Sequence, residues 1–371
     1  MMTHAPVVLG LDFGGTKIAA AVCGLAGNRL GSVTVSSAAE LGARASFDRG
    51  IQAARDLLAS TAPGAELAAV GVSTFGIPFD DRVELAPAIA GWDELPLGRE
   101  LRAAFPGAEI RMATDAKAAA LAEVRWGALA GCDPAIYLNL GTGLSAALVV
   151  GGQVIVGANG AAGEIGYCLR ALSDVGLALE ARLPLEDMVS GRAVARQAAR
   201  LSAPGSRVLT AEEVFGASSD EPRLDRLVSE FVTELAFHVV NLAIALNPAR
   251  IAVGGGMVGS WDRLRPGLAG ALDAGTPFPP ELVPARFPDD APLRGAVALA
   301  VDAAAAIPAR ASAGDGDGDT AARRDSATRS DSPNGSQPPN RTHSDTDSGS
   351  TAGGVAPVPH RPGTLTERLQ S

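Results

Sequence analysis

Two short glycine turns, each lying between two apolar runs, constrain the fold of this chain most strongly. The first turn is DFGGTK, Asp12 to Lys17, and the second is LGTGLS, Leu140 to Ser145. A tight glycine turn between apolar runs is typical of a β-hairpin. Both turns are therefore predicted to join neighbouring strands, and the chain is predicted to open with a strand meander.

The order of the predicted elements recurs along the chain. The first half has strands, a helix with Ser46 as its predicted N-cap, further strands, and a helix from Asp115 to Leu129. The second half has strands from Ala135 to Gly157, then helices, then the strand ARIAVGGG. No sequence identity relates the halves, so the repeat concerns layout only. We predict two related α/β halves.

Composition and charge exclude several functional classes. The chain has 371 residues, 47% hydrophobic content and a net charge of -10. Nucleic-acid binding relies on clustered Lys and Arg, so nucleic acid is not an expected partner. The start lacks a basic region followed by a long apolar run, and no segment reaches about 18 uninterrupted apolar residues, so secretion and membrane insertion are not expected.

The cysteine pattern and the C-terminal composition add two expectations. Cys23, Cys132 and Cys168 are odd in number and widely spaced, which indicates neither a disulfide framework nor a metal knuckle. A reducing cytoplasm fits this pattern. Residues 309–371 are rich in Asp, Ser, Thr, Gly and Pro with few large apolar side chains, which predicts a disordered tail.

The two turns also suit phosphate binding, because glycine lets backbone N–H groups converge on an anion with a threonine hydroxyl beside them. The candidate phosphate-binding residues are Gly14, Gly15, Thr16, Lys17, Gly141, Thr142 and Gly143. The carboxylate of Asp12 beside the first turn suits Mg²⁺, bound directly or through water. Two plain hairpin turns are the alternative. The lysine falls one position too late for a Walker A loop, which disfavours a P-loop NTPase.

A third glycine cluster, VGGGMVG, matches G-x-G-x-x-G at Gly254, Gly256 and Gly259 after an apparent strand. A dinucleotide site needs an acidic residue at the end of a second strand about 20 residues later. Asp273 lies instead in a predicted helix. This disfavours an NAD-linked oxidoreductase and leaves close backbone approach to another flat ligand.

These features together resemble the ROK family of bacterial sugar kinases and related repressors. The matching motifs between Val7 and about Pro308 are GLDFGGTKIAAAV, GWDELPLGRELRAAF, TDAKAAALAE, GTG, AGEIG, LEDMVSGRA and NPARIAVGGGMV. The resemblance implies an actin-like ATPase (ribonuclease H-like) α/β fold with two domains around a central cleft. We expect domains at 1–115, completed by a helix near 293–308, and at 116–292.

The resemblance also implies roles for individual residues. Asp115 would be the catalytic base, Glu164 and Glu186 would accept hydrogen bonds from sugar hydroxyls, and Gly254, Gly255 and Gly256 would pack against adenosine. Structural alternatives exist for two of these acids. The alternative for the first acid is that Asp115, or its neighbour Thr114, caps the following helix. The alternative for Glu186 is that it lies in the first turn of a helix opened by Pro184, where an acid suits the helix dipole. Glu164 has no such capping role.

Several departures from the family pattern bear on function. Thr114 and Lys117 stand where the family usually has Asn, and Tyr167 stands where it has His. Thr114 and Tyr167 remain candidate sugar contacts, whereas Lys117 either faces solvent or reaches the cleft. The family's zinc-binding cysteines are absent, so no zinc site is expected. Further glycines that commonly follow the second turn are replaced by Ser145 and Ala146.

The expected function is an ATP-dependent sugar kinase that uses Mg²⁺ and phosphorylates a hydroxyl of a glucose-like or amino sugar. The alternative is a catalytically weakened, sugar-binding regulatory homologue. Only about ten residues precede Asp12, so no helix-turn-helix domain is expected ahead of it. A cytoplasmic homo-oligomer, such as a dimer, is expected by the same resemblance. Neither the sugar nor the choice between ATP and polyphosphate is predicted.

Overall fold

Two five-stranded sheets of the same design organise the folded part of the chain. The computed structural model describes residues 5–203 and 205–314, and the chain up to Ile307 belongs to one compact unit. The first sheet, in the order β3-β2-β1-β4-β7, consists of β1 (Val7–Phe13), β2 (Lys17–Gly24), β3 (Arg29–Ser36), β4 (Leu67–Thr74) and β7 (Glu109–Thr114). A small separate ribbon pairs β5 (Ile77–Pro78) with β6 (Val83–Glu84).

The second sheet repeats the topology of the first. In the order β10-β9-β8-β11-β12, it consists of β8 (Ala135–Leu140), β9 (Leu144–Val150), β10 (Gln153–Val154), β11 (Arg250–Gly254) and β12 (Glu281–Pro284). In each sheet three antiparallel strands come first and two parallel strands complete the other side. The predicted recurrence of layout is confirmed, and the two glycine turns occupy equivalent places, between β1 and β2 and between β8 and β9.

Eight α-helices accompany the sheets in the described part of the chain. They are α1 (Gly42–Thr61), α2 (Leu97–Ala104), α3 (Asp115–Trp126), α4 (Gly191–Leu201), α5 (Ala211–Ala217), α6 (Pro222–Leu246), α7 (Trp261–Gly275) and α8 (Ala291–Gly314). Ser46 lies inside α1, so its predicted role as N-cap is wrong. Its hydroxyl is buried and donates to the Ser37 carbonyl oxygen at 2.6 Å, which joins the helix to the chain after β3.

The long helix α6 is a core element of the second half. By length and composition alone it is apolar enough to cross a membrane. Its apolar side chains, however, pack into the same cluster as residues of α4, α5, α7 and the second sheet, with Phe231 and Leu235 fully enclosed. Burial within the protein therefore accounts for part of its apolar character, whereas Phe237 and Ile244 on the same helix are exposed.

Helix α8 returns the chain to the first sheet. Leu293, Val297 and Val301 of this helix pack with residues of β1, β2 and β4. The domain boundaries near 115, 292 and 308 stay a prediction, although α3 begins at Asp115 and α8 at Ala291. The tail predicted from residue 309 begins within α8, and its residues 315–371 lie outside the described part of the chain.

The alanine-rich sequence of α3 is explained by close packing on several sides. Five of its alanines are buried: Ala116, Ala118, Ala119, Ala120 and Ala122. A Cβ atom at Gly295 of α8 would lie 1.7 Å from the carbonyl oxygen of Ala118. The two helices therefore touch backbone to backbone, and only small residues permit this approach.

The contact between α3 and α8 predicts a steep local sensitivity to side-chain size. Gly295→Ala should lower the free energy of unfolding by about 3 kcal/mol, because the new methyl group overlaps main-chain atoms that cannot move aside cheaply. Urea unfolding measures this change. Gly270→Ala in α7 is the matched control, because a Cβ there would meet nothing within 4 Å. It should raise stability by about 0.5 kcal/mol, and equal effects of the two substitutions would contradict the packing.

Candidate functional site

The junction between β7 and α3 places Asp115 at a helix N-terminus. Thr114 is the N-cap, because its hydroxyl oxygen accepts a hydrogen bond from the Lys117 amide at 3.4 Å. The Asp115 carboxylate accepts a hydrogen bond from the Ala116 amide at 2.7 Å. The capping interpretation therefore applies to Thr114, and the Asp115 side chain lies at the positive end of the helix dipole.

The Asp115 carboxylate is half-buried among other charges. Burial raises its pKa above the usual carboxyl value, the Ala116 amide and the Lys117 ammonium lower it, and the nearby Glu186 raises it. The balance leaves a carboxyl group that is a stronger base than a solvated aspartate. This is the property that a group accepting a hydroxyl proton requires.

Lys117 reaches the interior of the site rather than solvent. It is 4% exposed, and its Nζ lies 3.6 Å from Oε1 of Glu164, an ion pair longer than a hydrogen bond. No hydrogen-bond partner for Nζ exists among the described residues. Of the two positions expected for this side chain, the structure shows the one inside the site.

Glu164 and Tyr167 lie on the loop after β10, which is anchored to β9. The Ala146 amide donates to the Gly163 carbonyl oxygen at 2.8 Å, and Gly163 has a φ of +85°. Burial raises the pKa of Glu164, while Lys117 lowers it. Burial and the neighbouring Glu186 and Glu164 raise the pKa of Tyr167 to about 12, so its phenol keeps a proton to donate.

Glu186 lies directly against the second glycine turn. It belongs to a short 3-10 turn, Leu185–Asp187, rather than to the α-helix expected after Pro184. Its Oε2 accepts a hydrogen bond from the Leu144 amide at 3.0 Å, and a Cβ atom at Gly143 would lie only 2.3 Å from the same oxygen. Its Oε1 accepts from Arg192 at 3.0 Å. A side chain at position 143 would therefore displace this carboxylate.

The second turn and the third glycine cluster meet at one end of the second sheet. Gly255 has a φ of +86°, and a Cβ there would lie 2.5 Å from the Leu140 carbonyl oxygen. A Cβ at Gly254 would lie 2.0 Å from the Tyr137 hydroxyl, whereas one at Gly256 would meet nothing within 4 Å. The structure therefore brings Gly254–Gly256 beside Gly141–Gly143. Thr142, at the tip of the turn, is exposed.

The first turn is a tight hairpin tip with Asp12 beneath it. The Gly14 amide donates to the Lys17 carbonyl oxygen at 3.0 Å, and the side chains of Thr16 and Lys17 are exposed. The turn is therefore a regular hairpin whose tip is exposed. Asp12 accepts a hydrogen bond from the Ser73 hydroxyl at 2.9 Å.

The environment of the Asp12 carboxylate favours a bound cation. Burial raises its pKa to about 7, Ser73 lowers it, Asp115 raises it and Lys17 lowers it. A desolvated carboxylate with this shift is stabilised by a divalent cation, so the donor chemistry of Asp12 fits Mg²⁺. The mutual effect of Asp12 and Asp115 also places the first turn and the α3 junction in one electrostatic site.

The structure thus connects most of the residues singled out in the sequence. The electrostatically coupled set is Asp12, Lys17, Asp115, Lys117, Glu164, Tyr167 and Glu186. Sequence reasoning missed Ser73, which bonds Asp12, and Arg192, which bonds Glu186. A usable signal existed for each, since Ser73 is a polar residue ending a buried strand and Arg192 falls within the motif SGRA.

Comparison with known proteins assigns this fold and site to a family. The ROK family sequence profile matches residues 8–303, so the chain belongs to the ROK family. The kanosamine kinase of Amycolatopsis mediterranei is 30% identical over 304 residues, which are 80% of this chain and 96% of that protein. The predicted family is therefore confirmed.

Solved structures of ROK proteins confirm the predicted actin-like ATPase fold. The ROK hexokinase from Thermus thermophilus superposes with a TM-score of 0.65 and 31% identity, over 80% of this chain and 98% of that chain. The ROK family glucokinase from Streptomyces griseus, in complex with glucose and AMPPNP, gives a TM-score of 0.62 and 28% identity, over 78% and 98%. The chain is thus a homologue of ROK sugar kinases.

The raised pKa of Asp12 predicts a pH-dependent gain in stability for Asp12→Asn. Because the folded pKa is raised from 3.8 to about 7, the stability contributed by Asp12 is complete below its unfolded pKa and is lost as pH rises through the folded pKa. The variant should therefore unfold a few degrees above the wild type at about pH 8 and close to it at about pH 4. Thermal unfolding without ligands measures the difference, and a shift of equal size at both pH values would contradict this assignment.

Proposed function

We propose that the protein is an ATP-dependent sugar kinase that transfers the γ-phosphate to a hydroxyl of a hexose, with Asp115 as catalytic base. The observation that carries this proposal is the half-buried carboxylate of Asp115, whose raised pKa makes it a stronger base at a helix N-terminus. It lies with Glu164 and Glu186 in a site coupled to Asp12 of the first glycine turn. The ligands of the Streptomyces griseus structure, a sugar and a nucleotide analogue, support the same pairing of substrates.

The nucleotide would bind between the glycine segments. Backbone N–H groups of the two turns would hold the phosphates, with Thr16 and Thr142 exposed at their tips. The open side of Gly256 would receive the adenosine, because no side chain or backbone atom fills the space above it within 4 Å. Asp12 would hold Mg²⁺, directly or through water. When bound, the ion neutralises charge on the phosphoryl group that is transferred.

Asp115 would act first by orientation and then as a base. Its carboxylate would accept a hydrogen bond from the attacking hydroxyl and hold that oxygen in line with the phosphoryl group. Burial raises the pKa of the group and strengthens it as a base, while the Lys117 ammonium opposes this shift by favouring the ionised form. The proton would move to Asp115 late in the transfer, as the hydroxyl oxygen forms its new bond.

The remaining polar groups would bind the sugar. Glu164 and Glu186 offer carboxylate oxygens to hydroxyl donors, and the neutral phenol of Tyr167 offers both a donor and an acceptor. Thr114, which caps α3, lies beside Asp115 and would define one wall of the site. The proposal also includes a cytoplasmic location, assembly into a homodimer and the absence of a zinc site.

A second candidate function is a sugar-binding regulator with weakened catalysis. One observation favours it: Lys117, at a position where the family usually has Asn, brings a buried positive charge to Glu164. An ion pair inside a site adapted to neutral sugars would alter either specificity or turnover. The retained Asp115 and both glycine turns favour the kinase.

The kinase proposal predicts that Asp115→Asn abolishes sugar-dependent ADP release. The substitution keeps the shape of the side chain but removes the base, so kcat should fall about 100- to 10,000-fold. Sugar affinity should change much less. The measurement follows ADP release with magnesium ATP and a panel of hexoses and amino sugars, and polyphosphate replaces ATP in a parallel series.

Asp48→Asn is the matched control for this experiment. Asp48 is an exposed acid on α1, where it pairs with Arg44 at 3.5 Å, and its substitution should leave kcat unchanged. Loss of activity in Asp115→Asn alone supports the base. Sugar binding by the wild type with no ADP release from any member of the panel would contradict the kinase and favour the regulator.

A further inference from the structure

Lys117 is a buried cation in a site that also contains the acids Asp115, Glu164 and Glu186. Its Nζ has no exposed surface and no hydrogen-bond partner among the described residues, and it lies 3.6 Å from Glu164 Oε1. Its charge also acts on Asp115, where it opposes the effect of burial. The ammonium group thus pairs with a proposed sugar-binding carboxylate and also acts electrostatically on the proposed base.

The position of Lys117 in the first turn of α3 determines where its side chain lies. Its amide donates to the Thr114 hydroxyl oxygen in the first turn of α3, so the residue is fixed at the capped end of the helix. The neighbouring residues Ala116 and Ala118 are buried as well. A cation near a helix N-terminus is opposed by the helix dipole. The burial of Lys117 therefore requires compensation, which Glu164 and Asp115 supply.

The chemistry of an ammonium group restricts what can bind beside it. Lysine offers three donors and no acceptor, so its unpaired protons require an oxygen acceptor. A sugar hydroxyl oxygen meets this need and can donate its own proton to a carboxylate. A protonated amine on the sugar offers no acceptor and carries a like charge, which is costly at short range in a buried site.

We propose that Lys117 is a specificity-determining residue that selects hexoses bearing a hydroxyl, and excludes those bearing a protonated amine, at the sugar position facing Glu164 and Asp115. This inference rests on the proposed sugar-kinase function and narrows its substrate class from glucose-like or amino sugars to neutral hexoses. The like charge of Lys117 works against an aminodeoxy sugar at this position.

Calorimetric titration of the full chain with matched sugar pairs tests the proposal. Glucose is compared with its 2-amino and 3-amino counterparts, glucosamine and kanosamine, and mannose with mannosamine, in the presence of magnesium and AMPPNP. The wild type should bind the neutral sugar of at least one pair about 100-fold more tightly than its amino counterpart. In Lys117→Met, which keeps length but removes charge, this ratio should fall at least tenfold, whereas Lys117→Arg should preserve it. If the role of Lys117 were purely structural, Lys117→Met would lower the affinity for both sugars of a pair equally and leave the ratio of the two affinities unchanged.

The outcomes separate this inference from the kinase proposal. Equal affinity of the wild type for both sugars of each pair, an unchanged ratio in Lys117→Met, or no binding of any of these sugars would overturn the role of Lys117. Discrimination that depends on Lys117, without ADP release on addition of ATP, would support that role and contradict the kinase. If Lys117→Met does not fold, Lys117→Asn and Lys117→Gln make the same comparison, and the wild-type ratio is measured in any case.

Discussion

Backbone-to-backbone packing of α3 against α8 is the constraint on which the position of the site depends. The contact between Gly295 and the Ala118 carbonyl leaves no freedom for α3 to slide. At its far end, the fully buried Glu123 accepts hydrogen bonds from the amides of Ala128, Arg286 and Phe287. A helix held at both ends carries its first residue, Asp115, to one defined place, as precise positioning of a catalytic group requires.

Bringing several acids together in the site lowers the stability of the folded protein, and bound ligands would offset this loss. Asp12, Asp115 and Glu164 all have raised pKa values, in each case chiefly because of burial. Removing these carboxylates from water therefore lowers the free energy of unfolding. A bound cation, hydroxyl donors and Lys117 each supply part of the missing stabilisation. Groups with perturbed pKa values in one cleft are typical of functional sites, although ion-pair networks produce them too.

The sequence allowed the fold and most site residues to be predicted because both are written in local patterns. Glycine turns between apolar runs gave the strand meanders, and ordered motifs gave the family. Contacts between distant positions were not predictable in this way. Ser46 resembled a cap until its hydroxyl was seen to bond Ser37, and Glu186 lies against a turn 42 residues away. The direction of Lys117 was open because α3 buries residues all around its first turns, so helical periodicity marks no solvent side.

Lys117 and Glu164 are best understood as one functional unit rather than as two independent residues. Replacing Lys117 by the family's usual Asn would remove the cation that lowers the pKa of Glu164, which favours the protonated form of this half-buried acid, a poorer acceptor for sugar hydroxyls. Replacing Glu164 alone would leave a buried ammonium group uncompensated, which is strongly unfavourable. Substitutions at the two positions are therefore expected to be non-additive. The effect of a substitution at either position on sugar specificity is therefore expected to depend on the residue at the other position.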